Sequence, residues 1–206
     1  MQIIHHRINT FDKLHNLRLD DGAEIDIRYH NNDLILHHDP FGHDVNSSVL
    51  LKDFLKDWKS KGTLILNLKS EGLEDACIKL MKSYKIENWF FLDLSMPFLV
   101  KYSLIAAENN IPGFSPANLA VRFSDFEPLE YAISYSGRAS WVWIDTFQNF
   151  ALNQKNYKRL TDAKFKLCLV SPELQGGSKE EISRMKSLIK DFSIDAVCTK
   201  FPNLWR

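Results

Sequence analysis

Apolar and polar residues follow two alternating rhythms along this chain. Short apolar runs, read as strands, are separated by stretches whose apolar positions recur at the spacing of one helix face. Residues 2–7 form the first run, ending in His5-His6-Arg7. Residues 10–20, with leucines at 14, 17 and 19, read as a short helix. A second strand at 22–28 leads through Asn31-Asn32-Asp33, a tight turn, into a returning strand at 34–38. Ser47-Ser48 is placed as the N-cap of a helix with Leu50, Leu51, Phe54, Leu55 and Trp58 on one side. Further strands are expected at 63–70, 89–95, 118–124, 141–147, from 165 and from 194. Helices at 73–84, 97–110, 127–135, 153–163 and 178–192 lie between them.

Strands that alternate with helices imply right-handed crossovers and a parallel sheet. Eight such units predict an α/β fold of the (β/α)8 barrel type, spanning 1–206 as a single compact domain near the ~200-residue lower limit for that architecture. The competing open, doubly wound sheet lacks support, because Gly22 is the only glycine in the first 41 residues and no glycine-rich phosphate loop follows the first strand.

Composition narrows the partners. Lys+Arg and Asp+Glu are equal at 26 each, so no overall field recruits nucleic acid or an anionic membrane, and an anionic substrate must be held locally. Cys77, Cys168 and Cys198 are scattered and sit in apolar runs, as buried free thiols do in a reducing compartment. No stretch of signal-peptide character opens the chain and none approaches the ~18 apolar residues of a membrane span, so a soluble, cytoplasmic protein without stable membrane insertion is expected.

The chemistry gathers early: all seven histidines lie within the first 43 residues. Glu24, Asp26 and Arg28 alternate with Ala23, Ile25 and Ile27, which puts the charged three on one strand face. Two carboxylates about 6 to 7 Å apart along a strand repel unless a cation lies between them, and oxygen ligands at that spacing suit Mg2+ or Ca2+. His37, His38 and Asp39 return toward the same end. A zinc site from His5, His6, His37 and His38 is the alternative, which the neighbouring carboxylates disfavour. In a barrel, catalytic groups collect at the C-terminal strand ends. His6, Arg7, Asn67, Lys69, Asp93, Arg122, Asp145, Glu173 and Lys200 all occupy such positions, some as substrate contacts and others as rim charges. Trp141, Trp143 and Trp205 read as packing residues.

These motifs, HR at 6–7, EIDIR at 24–28, HHDP at 37–40, NLK at 67–69 and CTKFPNLW at 198–205, resemble the glycerophosphodiester phosphodiesterases, within the phosphatidylinositol-phospholipase-C-like barrels. The resemblance implies a metal-dependent hydrolase of a small-molecule phosphodiester, with a place in lipid metabolism. It makes His6 and His38 the acid and base, Arg7 and Lys69 the phosphate contacts, and Glu24 and Asp26 ligands of one divalent cation. His6 is preferred to His5 on the His-Arg match, and His37 then points outward. Four features depart from the family pattern. Ile8 replaces a glycine, the following loop is cut down to Ile8-Asn9-Thr10, Asn67 stands where a third metal-binding glutamate is expected, and Lys200 replaces an aspartate. They mark a divergent member, and leave open a barrel that has lost turnover and binds a phosphorylated ligand or partner.

Overall fold

The structure, a computed structural model, describes residues 1–40 and 45–206; His43 falls outside them. Eight parallel strands form the barrel: β1 (Gln2–His5), β2 (Gly22–His30), β5 (Leu64–Leu68), β6 (Trp89–Leu92), β7 (Ala120–Phe123), β8 (Trp141–Ile144), β9 (Lys166–Val170) and β10 (Ala196–Thr199). The helices between them are α1 (Phe11–His15), α2 (Leu51–Asp57), α3 (Glu74–Ser83), α4 (Met96–Glu108), α5 (Leu129–Ile133), α6 (Gln154–Asp162) and α7 (Lys179–Leu188), and α8 (Pro202–Trp205) ends the chain. None of the helices among the described residues is long and apolar enough to cross a membrane.

Parallel ladders join the ring in the order β6-β5-β2-β1-β10-β9-β8-β7. The remaining joint, β6 to β7, is a seam: one parallel bridge from Phe91 to Leu119, beside which Asn118 Nδ2 donates to the Trp89 carbonyl at 2.9 Å. The fold is thus the expected α/β barrel, with its sheet interrupted at one place.

Strand alternation divides the apolar residues into two layers. Ile4, Ile65, Phe90, Leu92, Ala120, Trp141, Trp143, Cys168, Val170, Ala196 and Cys198 form one buried cluster, the barrel interior. Their neighbours in sequence, such as Ile3, Ala23, Ile25, Ile27, Leu64 and Leu66, belong to the outer cluster beneath the helices. Strand β2 contributes no large side chain to the interior. Its inward positions are Gly22, Glu24 and Asp26, so the apolar filling stops short of the C-terminal mouth on that side.

The upper half of β2 runs beyond the ring and folds back as a hairpin with β3 (Asp33–Leu36), from Ile27↔Leu36 to His30↔Asp33. Asn31 and Asn32 turn it with φ of 47° and 66°, left-handed values that asparagine tolerates and that match the twist of a two-residue hairpin. Strand β4 (Val49–Leu50) then pairs with β3, and α2 starts only at Leu51, with no side-chain cap. The expected cap at Ser47-Ser48 is therefore displaced. Ser47 ends a 3-10 turn, Val45–Ser47, and Ser48 Oγ meets His37 Nδ1 at 3.1 Å. Helix α1 is capped by Thr10 and ends at His15, shorter than the expected 10–20; Asn16 Nδ2 turns back to the Asp12 carbonyl at 2.8 Å.

At Gly22 a side chain has no room, since an added Cβ would lie 2.5 Å from the Thr63 carbonyl oxygen and 2.9 Å from Ile4 Cγ1. Gly22→Ala should lower the unfolding free energy by about 1–3 kcal/mol, the usual scale of overpacking, as measured by urea denaturation. Wild-type stability in that variant would mean that β1, β2 and β5 do not approach as closely as described.

Candidate active site

The inward residues of β2 set the site. Glu24 and Asp26 are 1% and 0% exposed, and each is surrounded by donors from other strand ends. The chain leaves β1 through Arg7, whose φ of 54° turns its backbone N–H toward Glu24 Oε2 at 2.7 Å. From the next barrel strand, β5, Asn67 Nδ2 donates to Glu24 Oε1 at 2.8 Å. Asp26 is bracketed by Asn9, whose Nδ2 donates to Asp26 Oδ2 at 2.7 Å while its Oδ1 accepts the Asp26 N–H at 3.0 Å. Lys69 Nζ lies 3.3 Å from Asp26 Oδ1 and 3.7 Å from Asp93 Oδ2; Arg7 Nε lies 3.9 Å from Asp26 Oδ2. Buried charge is tolerated only when paired in this way.

The two histidines stand on either side. His6 Nε2 is 3.8 Å from Glu24 Oε2, and its buried Nδ1 has no hydrogen-bond partner among the described residues. His38 Nδ1 contacts Asp39 Oδ1 at 2.7 Å, and its Nε2 is hydrogen-bonded to Arg7 Nη2. Because a guanidinium can only donate, His38 Nε2 must accept and Nδ1 must carry the proton to Asp39. Arg28 fixes the loop that presents His38. Its Nε and Nη2 donate to the His38 carbonyl at 3.2 and 2.9 Å, and its Nη1 to the Lys69 carbonyl at 3.2 Å.

Burial and neighbouring charges shift two groups in opposite directions. His6 is lowered to about 3, chiefly by burial and then by Arg7, Lys200, His38 and Lys69, so it rests neutral. Glu24 is raised to about 7 by burial and by Asp26, against the hydrogen bonds from Arg7 and Asn67.

The structure brings His6, Arg7, Glu24, Asp26, His38, Asn67 and Lys69 to one end of the barrel. His5 and His37 stand apart from them: His5 Nε2 donates to Asp21 Oδ2 at 2.8 Å, and His37 faces Ser48. Asp145 and Arg122 occupy the opposite wall in a closed network. Arg122 bonds Asp145, Asp93 at 2.6 Å and Glu127 at 2.8 Å, while Trp143 and Gln175 donate to Asp145 at 3.0 and 2.8 Å. Glu173 is equally occupied, accepting from Ser171, from Thr199 Oγ1 at 2.6 Å and from the Lys200 N–H at 2.8 Å. Trp141, Trp143 and Trp205 are buried, as packing residues should be. Asn9 was not singled out as a site residue by sequence reasoning. Its signal, an amide in the shortened loop just before the Thr10 cap, gains meaning only once Asp26 is placed beside it.

Among the described residues, no three or more His, Cys, Asp or Glu side chains gather as a metal site would require. The donor set nevertheless accommodates a hard cation. Asp26 Oδ1 and Asn67 Oδ1, on residues paired across β2 and β5, are buried oxygens without a hydrogen bond. Two protein oxygens with Glu24 nearby fit an ion that takes its other ligands from phosphate and water, as Mg2+ commonly does.

The class so defined is a parallel (β/α)8 barrel whose C-terminal mouth gathers two buried carboxylates, two imidazoles and the cationic side chains of Arg7 and Lys69. No protein-family model and no curated protein matches the sequence. Among solved structures, the chain is similar over 99% of its length to 98% of a glycerophosphodiester phosphodiesterase from Agrobacterium tumefaciens str. C58, with a TM-score of 0.71 and 16% identity. It is also similar, over its whole length, to 90% of the tryptophan synthase alpha subunit from Campylobacter jejuni, with a TM-score of 0.58 and 12% identity. At these identities the likeness is one of fold. The higher score falls on the kind of enzyme that the sequence motifs resemble.

The two shifted groups make opposite demands on stability. His6 takes up its proton at about 3 folded and near 6.5 unfolded, so stability falls as pH drops through that window. Glu24 takes up its proton at about 7 folded and near 4.5 unfolded, so stability falls as pH rises through that window. With a chelator present, Glu24→Gln should therefore gain stability with pH between 4.5 and 6.5, and His6→Asn should lose it. Urea denaturation across this range checks both. Parallel slopes in the two variants would show that the groups are not perturbed as described.

Proposed function

We propose that the protein is a phosphodiesterase acting on a glycerophosphodiester-like small molecule. The observation that carries the reading is the Arg7–His38 contact beside His6. It puts two imidazoles around a guanidinium and the Lys69 ammonium, directly above buried carboxylates. A phosphodiester anion draws Arg7 and Lys69 to its non-bridging oxygens. Arg7 thereby releases His38 Nε2, so substrate binding itself frees the second imidazole.

One imidazole then takes a proton from the attacking oxygen, of water or of a neighbouring substrate hydroxyl. A phosphorus–oxygen bond forms to that oxygen and the bond to the alcohol breaks, while the other imidazole, which enters the step as an imidazolium carrying a proton drawn from solvent, delivers that proton to the departing alkoxide. Asp39 steadies the charge that develops on His38. Glu24, Asp26 and Asn67 would hold Mg2+ or Ca2+, which when bound neutralises charge on the phosphate and polarises it. Asn9 and the Arg7 N–H keep the two carboxylates aligned throughout.

A second reading, a barrel that binds a phosphorylated ligand without turnover, draws on Asn67. Its amide leaves the cation one negative charge short of the pattern that the resemblance leads one to expect.

A screen of glycerophosphodiesters with Mg2+, Ca2+ or chelator, read as released alcohol, separates the readings. Turnover that depends on metal is expected, and its absence under all conditions would leave the binding reading. His6→Ala and His38→Ala should each lower turnover ~100-fold or more with folding retained, the scale of a lost acid or base. His37→Ala, whose ring faces Ser48, should be mild. More than a tenth of wild-type activity in either of the first two would remove that residue from the mechanism. Asn67→Glu should tighten Mg2+ binding by calorimetry, and an unchanged dissociation constant would place Asn67 away from the ion.

A further inference from the structure

A second space borders the site at His6. A cavity of about 490 Å³ lies between the end of β1, the first turns of α1 and the end of β10, and His6 forms part of its wall. Its other charged lining residues are Lys13, Lys200 and Asp12, with His5 already given to Asp21.

Two of these charges are held in place by their backbones and neighbours. The Lys200 N–H donates to buried Glu173, and the Phe201 N–H donates to Thr199 Oγ1 at 2.9 Å, so the turn that presents Lys200 is fixed. The Lys200 ammonium itself has no ion pair or hydrogen bond among the described residues. It is nonetheless near enough to His6 to help hold that imidazole neutral. Lys13 reaches from α1 to donate to the Arg7 carbonyl at 2.9 Å, which places its ammonium on the lip between the phosphate-facing residues and the cavity. Against these two cations stands one carboxylate, Asp12, which has no ion-pair partner among the described residues. The space beside His6 therefore carries a net positive charge. The opposite wall differs, because Arg122 is already consumed there by Asp93, Glu127 and Asp145.

We propose that this cavity receives the alcohol substituent of the diester on the His6 side, and that Lys200 and Lys13 select substituents bearing an anionic group. The proposal rests on the phosphodiesterase reading for the position of the phosphate, and it adds the charge class of the substrate. Lys200 acts as the discriminating residue, since its ammonium is uncommitted. Asp12 sets the limit of the preference, and screening by salt weakens it.

Three diesters of glycerol 3-phosphate test the idea, with glycerate, glycerol and choline as the second alcohol: similar in size, but anionic, neutral and cationic. Wild type should favour the glycerate diester over the choline diester by roughly tenfold in kcat/KM, the scale of one partly solvated ion pair made and one repulsion avoided. Lys200→Gln should shrink that ratio, Lys200→Glu should abolish or invert it, and Asp12→Asn should enlarge it. Calorimetric dissociation constants for the same compounds give the ratio independently of turnover. If wild type binds all three and cleaves none, the phosphodiesterase reading fails while the cavity's selectivity is still decided. A ratio equal in wild type and Lys200→Glu, by both measurements, would overturn the proposal, as would a wild-type preference for choline or no binding of any diester.

Discussion

Two carboxylates on one buried strand face are the constraint around which this molecule is arranged. Strand β2 turns Glu24 and Asp26 into the barrel where other strands turn in Phe90, Trp143 or Ile65. Leaving those charges uncompensated in an apolar interior would cost several kcal/mol each. The compensation comes from three neighbouring segments at once. The left-handed turn at Arg7 supplies a backbone donor, the shortened loop supplies Asn9, and β5 with the residue that follows it supplies Asn67 and Lys69. Each is also a group that faces the mouth, so the interactions that make the carboxylates tolerable are the ones that assemble the site.

The barrel mouth is consequently unequal. On the side of β6, β7 and β8, Asp93, Arg122, Glu127 and Asp145 satisfy one another, and Asp93 with its φ of 61° links that network to Lys69. On the side of β1, β2 and β5, the satisfaction is incomplete. His6 Nδ1, Arg7 Nε, Asp26 Oδ1 and Asn67 Oδ1 are buried without hydrogen bonds. In the proposed function a ligand completes these four, while Glu74 Oε2, Ser95 Oγ and Thr146 Oγ1 are in the same state elsewhere in the fold. The set contains both donor and acceptor atoms, which suits an anion accompanied by a cation. The sheet's seam between β6 and β7 lies beside the network of Arg122 and its carboxylates.

Much of this was legible in the sequence because strand alternation is a local signal. GAEIDIR states which of its side chains share a face, and NLK beside it states the same for Asn67 and Lys69. The eight strand-helix units were visible for the same reason. What the sequence could not show is which charged groups are already engaged. Arg28 and Arg122 look as available as Arg7, yet the first is spent on the His38 and Lys69 carbonyls and the second on three carboxylates. Asn9 was hidden because its partner is 17 residues away. The misplaced cap at Ser47-Ser48 has a similar origin. Pairing of Val49 and Leu50 with β3 is a tertiary fact that outweighs a good local capping signal.

The central claim is that these buried carboxylates, with Arg7 and Lys69 above them, form the seat of a phosphate. A crystal grown with glycerol 3-phosphate and Mn2+, with the metal located by anomalous scattering, tests it most directly. The expected result is a manganese peak against Asp26 and Asn67, phosphate oxygens on Arg7 and Lys69, and Arg7 withdrawn from His38. Phosphate bound elsewhere, or Arg7 still on His38 with the mouth occupied, would contradict it.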